Sequence, residues 1–226
     1  MTEISVMRAG PQDWAILRDL RLRALSDSPS AFASTYERER TLTDDEWRER
    51  LIRKGRVSLI AFWGDQPVGI AGGFVEYPGC AQVVSMWVVP DARGRGVGDA
   101  LVDEVLRWAR ELDVAEVRLW VTGGNDVAER LYARHGFERN GQVQPLPSNP
   151  GIDEIGMRLV LSDSHHAALG QRQLERSSSS PPASGPASDV GDLAGPWLTA
   201  NPYDIGFSPN SPITPVGKGS RATHDR

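Results

Sequence analysis

The sequence has a single cysteine, no long apolar run and no excess of basic residues. Cys80 alone cannot form an internal disulfide, and without a CxxC pair we expect no zinc site and no other metal. No apolar run reaches the roughly 20 residues of a membrane helix, and the N-terminus lacks a signal-peptide pattern. We therefore expect a cytoplasmic protein. A net charge of −5 argues against nucleic acid as its main partner.

The chain of 226 residues, 39% of them hydrophobic, is long enough for one good core. After Leu161 the composition turns to serine, proline and glycine, which bury too little apolar surface to offset the entropy of ordering. We therefore predict a domain at residues 1–161 and a disordered tail at residues 162–226. An aromatic stretch at residues 195–207 could instead dock on this domain or on a partner.

The polarity pattern predicts an α+β fold with three layers and a mainly antiparallel central sheet. Arginines 18, 21 and 23 of the first helix are expected to face solvent, and a proline-containing loop is expected at residues 144–151. The predicted strands occupy residues 4–8, 57–63, 68–76, 83–89 and 115–122, with two more after residue 137. Helices are predicted after the first, fourth and fifth strands.

A glycine- and arginine-rich turn, with the sequence Arg-Gly-Arg-Gly-Val-Gly, connects a buried strand to a long helix that begins near Val97. Unpaired backbone N–H groups and the positive end of the helix dipole meet in such a turn, which favours a diphosphate. A P-loop is excluded because no lysine occurs between Lys54 and Lys218. The dinucleotide fingerprint also fails, because Asp99 or Leu101 occupies its last glycine position.

Two motifs together carry a family resemblance. Arg93-x-x-Gly96-x-Gly98 follows the strand, and Asn-x-x-Ala-x-x-Leu-Tyr-x-x-x-Gly-Phe spans residues 125–137. In this order they resemble the acetyl-coenzyme A motifs of the GCN5-related N-acetyltransferase (GNAT) family. The resemblance covers residues 4–161 and implies a splayed pair of strands that holds acetyl-CoA. It also implies direct transfer of the acetyl group to a primary amine.

The resemblance assigns roles to individual residues. Tyr132 would protonate the departing thiolate, because a phenol with a pKa near 10 is still protonated at neutral pH. The remaining candidates would bind the coenzyme: Met86, Trp87, Val88 and Asn125 at the pantetheine and the thioester, and Arg93, Gly94, Arg95, Gly96, Val97, Gly98 and Asp99 at the diphosphate.

The general base is left open by the sequence. The resemblance implies a carboxylate on the strand before the asparagine motif, but Trp120 lies near that place and cannot accept a proton. An amine of low pKa could also react without a base. The carboxylates that could act through water are Glu37, Glu39, Glu76 and Glu154.

Other classes of function also fit the sequence. A non-catalytic sensor of acetyl-CoA could keep the diphosphate turn, and the tail could make the enzyme a protein-interaction module as well. The acceptor could be a small metabolite, an antibiotic, a polyamine or a protein amine. The oligomeric state is open, with a homodimer among the alternatives.

Overall fold

The computed structural model describes residues 3–161, so the predicted tail at residues 162–226 and its aromatic stretch lie outside the described residues. Seven strands form one sheet. The strands are β1 (Ile4–Arg8), β2 (Arg56–Trp63), β3 (Gln66–Tyr77), β4 (Cys80–Val88), β5 (Glu116–Thr122), β6 (Glu138–Leu146) and β7 (Asn149–Val160). The helices are α1 (Trp14–Asp27), α2 (Tyr36–Glu39), α3 (Asp44–Ile52), α4 (Val97–Glu111) and α5 (Asp126–Arg134).

The sheet has the strand order β1-β2-β3-β4-β5-β7-β6, and only β4 and β5 pair in parallel. Successive residues of a strand face opposite sides of the sheet. On β3, Gly69 and Gly73 face Leu101 and Trp108 of α4, whereas Gly72 lies on the side covered by α1 and α3. The helices therefore form one layer on each side, which confirms the expected three-layer α+β fold.

Two expectations about local structure are wrong. Residues 144–151 are not a loop, because β6 and β7 continue to a tight turn in which Leu146 pairs with Asn149. Proline is tolerated there because β6 is an edge strand and Pro145 lies next to a register shift. Arg21 does not face solvent, since only 4% of it is exposed.

A buried ion-pair network explains the position of Arg21. Its guanidinium donates to Glu39, with an Nη2–Oε1 distance of 2.8 Å, and Arg50 Nη1 lies 3.0 Å from the other Glu39 oxygen. Burial alone would raise the pKa of Glu39, but the charges and hydrogen bonds of Arg21 and Arg50 lower it to about 2. The network connects α1, α2 and α3, which carry these three residues.

No helix within residues 3–161 is both long enough and apolar enough to span a membrane.

Replacing Glu39 by Gln should lower the free energy of unfolding by about 3–5 kcal/mol, because it leaves two buried guanidinium groups without a counter-charge. Chemical denaturation at pH 7 measures this loss. The stabilisation by Glu39 is present above its unfolded pKa near 4.5 and is lost as the pH falls towards about 2. The Glu39→Gln variant should therefore lose less stability than the parent as the pH falls over this range.

The matched control is Glu37→Gln, which removes an exposed carboxylate paired with Arg40. Exposed pairs contribute about 0–1 kcal/mol, so this variant should stay close to the parent. Equal losses in the two variants would contradict a specific role for the buried network.

Candidate active site

The candidate site lies where β4 and β5 separate. Their pairing begins at Cys80 and Glu116 and ends at Gln82 and Arg118, although both strands continue beyond it. Strand β5 remains paired with β7 as far as Thr122. The part of β4 after Gln82 therefore has unpaired backbone groups on the side that faces β5, which confirms the expected splayed pair of strands.

Strand β4 carries a bulge within the splayed part. Ile70 stands opposite Trp87 and Gly72 opposite Val84, so β4 has one residue more than β3 between these pairs. Ser85 lies in the bulge with a φ of 58°, a backbone conformation that costs a non-glycine residue about 1–3 kcal/mol. Bulges are common beside active sites, where they redirect backbone and side-chain groups. An ordinary serine in a strand pattern carries no sequence signal for this geometry.

Three neighbouring cavities meet at the bulge, because each of them is lined by Val84 and Ser85. The first lies between the separated strands and α5. Its lining includes Met86, Asn125 and Tyr132. The structure thus brings these three predicted residues together at one site.

Tyr132 is the buried residue of α5, and its ring packs edge-on against Phe137 with the centroids 5.9 Å apart. Burial raises the pKa of its phenol, so the hydroxyl is protonated at neutral pH. Within residues 3–161 the hydroxyl has no hydrogen-bond partner. A protonated phenol beside a cavity can act as a proton donor to a bound group.

The second cavity contains Glu154 and shares Ala31 and Trp120 with the first. Glu154 is 5% exposed, and burial raises its pKa despite a hydrogen bond of 3.2 Å from Gln144 Nε2. A carboxylate with a raised pKa is a better general base than an ordinary glutamate.

The other three glutamates of the sequence prediction lie away from this second cavity. Glu37 is exposed and pairs with Arg40, and Glu76 is exposed near the Cys80 thiol. Glu39 is held in the buried ion-pair network. Glu154 is therefore the candidate base that the geometry favours.

The segment between α1 and α2 covers the second cavity with Phe32 and Ser34. Two hydrogen bonds hold it: Thr122 Oγ1 donates to the Ser30 carbonyl at 2.9 Å, and Ser148 Oγ donates to the Phe32 carbonyl at 2.5 Å. The β6–β7 turn that sequence analysis missed therefore helps to form the wall of the site.

The glycine-rich turn has the geometry of an anion site. Gly94 and Gly96 adopt left-handed φ values of 73° and 87°. Gly96 is the N-cap of α4 and has no side chain to cap it, so the first N–H groups of the helix, beginning at Val97, have no intrahelical acceptor. A Cβ on Gly94 would meet no atom within 4 Å, which leaves open space at the turn.

The charged residues of the turn are engaged within the protein. Arg93 Nη2 lies 2.5 Å from Asp27, and its Nε donates to the Val88 carbonyl at 2.9 Å. The Arg95 guanidinium stacks on Trp63, 4.3 Å from the ring centroid. These contacts hold the turn against its neighbours.

Asp99 and Gly98 lie where α4 contacts α5. Burial would raise the pKa of Asp99, but hydrogen bonds from Arg134 and His135 lower it overall. A Cβ on Gly98 would lie 3.1 Å from Leu131 Cδ2, so the glycine permits close helix packing. For both residues, only the backbone N–H is placed to face an anion at the helix end.

Trp87 and Val88, unlike Met86, do not line the cavity between the separated strands. The Trp87 indole is buried and donates to Asp27 at 2.9 Å, while Trp87 and Val88 pair with β3 through Ile70 and Gly69. The Trp87 side chain is therefore engaged within the protein, and the Val88 carbonyl already accepts a hydrogen bond from Arg93 Nε. Within residues 3–161 no group of three potential ligand residues is arranged to hold a metal ion.

The family model described as "Acetyltransferase (GNAT) family" matches residues 17–137, more than half of the chain. The chain therefore belongs to this family, whose members use acetyl-CoA.

Curated relatives are similar over part of the chain. A mycothiol acetyltransferase of Geodermatophilus obscurus is 30% identical over 144 residues, which are 61% of this chain and 45% of the relative. A mycothiol acetyltransferase of Beutenbergia cavernae is 32% identical over 120 residues, which are 52% of this chain and 39% of the relative. The chain thus spans less than half the length of these relatives.

Solved structures share the fold. A GCN5-related N-acetyltransferase from Kribbella flavida has a TM-score of 0.58 and 25% identity, covering 70% of this chain and 98% of that one. The structure of yncA from Salmonella typhimurium, which contains acetyl-CoA, has a TM-score of 0.59 and 18% identity, covering 72% and 96%.

Proposed function

We propose that this chain transfers an acetyl group from acetyl-CoA to a primary amine at the bulge of β4. One observation carries the proposal: Tyr132 and Glu154 line adjoining cavities that share Ser85. The arrangement provides a proton donor in one cavity and a proton acceptor in the other. The thioester of acetyl-CoA supplies an activated acyl group.

The residues around the glycine turn fit the diphosphate of the coenzyme. The N-terminal N–H groups of α4 are directed at one point, and the left-handed Gly94 and Gly96 allow a ligand to approach the backbone closely. Arg95 adds positive charge near this point. Asn125 and Met86, which line the cavity between the strands, would contact the pantetheine.

Three groups of the chain have roles in the reaction. Glu154 accepts the proton of the amine, either directly or through water. The unpaired backbone N–H groups of β4 near Met86 stabilise negative charge on the thioester oxygen, at about 3 kcal/mol for each well-placed donor. The Tyr132 hydroxyl gives its proton to the leaving sulfur.

Replacing Gly94 by Asp should weaken acetyl-CoA binding about 10-fold or more, because it adds a negative charge beside the diphosphate. Gly94→Asn is the control, since asparagine also tolerates a positive φ but adds no charge. Calorimetry on both variants measures the dissociation constants. Equal affinities for the two variants would contradict a diphosphate at this turn.

Replacing Tyr132 by Phe should leave acetyl-CoA affinity almost unchanged, because the ring and its packing on Phe137 are kept. The kcat should fall, since a general acid typically contributes about 10²–10⁴-fold and water replaces it only in part. Thiol release from acetyl-CoA with a panel of amines measures kcat. Undiminished kcat would reject Tyr132 as the acid, and acetyl-CoA binding without any thiol release in the parent would indicate a sensor.

Replacing Glu154 by Gln should lower kcat/KM by about 10²-fold or more and remove the acidic limb of its pH profile. The parent needs the ionised carboxylate, so its rate should fall as the pH drops through a pKa above the ordinary value for glutamate. Glu76→Gln is the control at an exposed position. An acidic limb that persists in Glu154→Gln would assign the limb to another group.

A further inference from the structure

The third cavity that meets the bulge is rich in arginine. It lies between α1, α3 and the sheet and reaches Val84 and Ser85. Arg21, Arg50 and Arg56 line it, together with apolar and glycine residues. The cavity reaches the bulge at Ser85, where the proposed reaction takes place, from the side opposite α4. It is therefore placed to receive part of the acceptor.

Several donors around this cavity have no acceptor. Within residues 3–161, the buried atoms Arg21 Nη1, Arg50 Nε and Trp47 Nε1 make no hydrogen bond. All three belong to side chains that line the cavity, and Arg21 and Trp47 are 4% and 1% exposed. Buried N–H groups without partners are rare, and a bound acceptor group or a water molecule would satisfy them.

Arg56 adds a further positive charge to this cavity. Its guanidinium stacks on Phe74 at 5.0 Å, and among residues 3–161 it has no carboxylate within ion-pair distance. Burial and the neighbouring charges of Arg53 and Arg50 lower its pKa. A partly buried cation that is surrounded by further cations favours an anionic ligand.

The balance of charge in the cavity is positive. Arg21 and Arg50 share the carboxylate of Glu39, whereas Arg56 forms no ion pair with any of residues 3–161. A diamine or polyamine would bring more positive charge next to these groups. A planar oxyanion can instead accept hydrogen bonds from the fork of a guanidinium.

We propose that the acceptor is a small primary amine that also carries an oxyanion group, a carboxylate or a phosphate, and that Arg56 binds this group while the amine faces Ser85 and Glu154. The inference rests on the proposed function, because it places the amine at the bulge. It narrows the acceptor to anionic amines and argues against polyamines.

Product analogues test the inference without requiring turnover. The ligands are ω-acetamido carboxylates of two to six carbons, the matching amides, and ω-acetamido phosphonates. Their affinities for the full chain are measured by calorimetric titration with coenzyme A present. At least one carboxylate or phosphonate should bind about 10- to 100-fold more tightly than its amide, the range expected for a charge-assisted hydrogen bond. The tighter series identifies the oxyanion.

Variants locate the effect. Arg56→Gln should abolish the preference of anion over amide, while Arg56→Lys should keep part of it because the charge remains. Arg110→Gln removes the same charge from an exposed position on α4 and should change nothing. Unchanged coenzyme affinity and melting temperature show that each variant is folded.

The inference would be overturned if the anion and the amide bound with equal affinity, or if neither bound at any chain length. It would also be overturned if the Arg56→Gln variant still preferred the anion over the amide. These outcomes are distinct from failure of the proposed function. If the proposed function fails, thiol release is absent with every amine. The comparison of anion and amide affinities still shows whether the cavity binds an anion. Faster turnover of diamines than of amino acids would also contradict an anionic acceptor.

Discussion

The separation of β4 from β5 is the constraint on which the rest of the site depends. A parallel pair that stays hydrogen-bonded along its length offers no room and no free backbone groups. Here the pairing ends after Gln82 and Arg118, while β3 and β7 continue to hold the outer sides of the two strands. The gap is therefore bordered on each side by a strand that remains paired, and the cavities at the bulge lie within it.

The bulge at Ser85 brings chemically different environments to one point. On the α5 side the lining contains a buried, protonated phenol, and on the other side it contains a carboxyl group whose pKa is raised by burial. A third cavity adds guanidinium groups. Burial raises the pKa of Tyr132 and of Glu154, whereas it lowers the pKa of the Arg56 guanidinium.

Stability and site formation are linked through Arg21. Its pairing with Glu39 connects the helices that cover one face of the sheet, and the same side chain lines two of the cavities at the bulge. It also stacks on Phe32, which lies in the wall held by Ser148. The network that connects the helices therefore also shapes these two cavities.

The sequence by itself determined the order of strands and helices, the glycine turn and the motif around Tyr132, because hydrophobic periodicity, caps and turn residues are local properties of the chain. Only the tertiary structure decided that Arg21 is buried, that residues 144–151 continue two strands, and that Glu154 is the glutamate near the bulge. Each of these depends on residues distant in sequence: the Glu39 counter-charge, the edge position of β6, and the register of β7 on β5. Local pattern cannot encode such pairings, because the burial and charge of a side chain are set by the partners that the completed sheet brings to it.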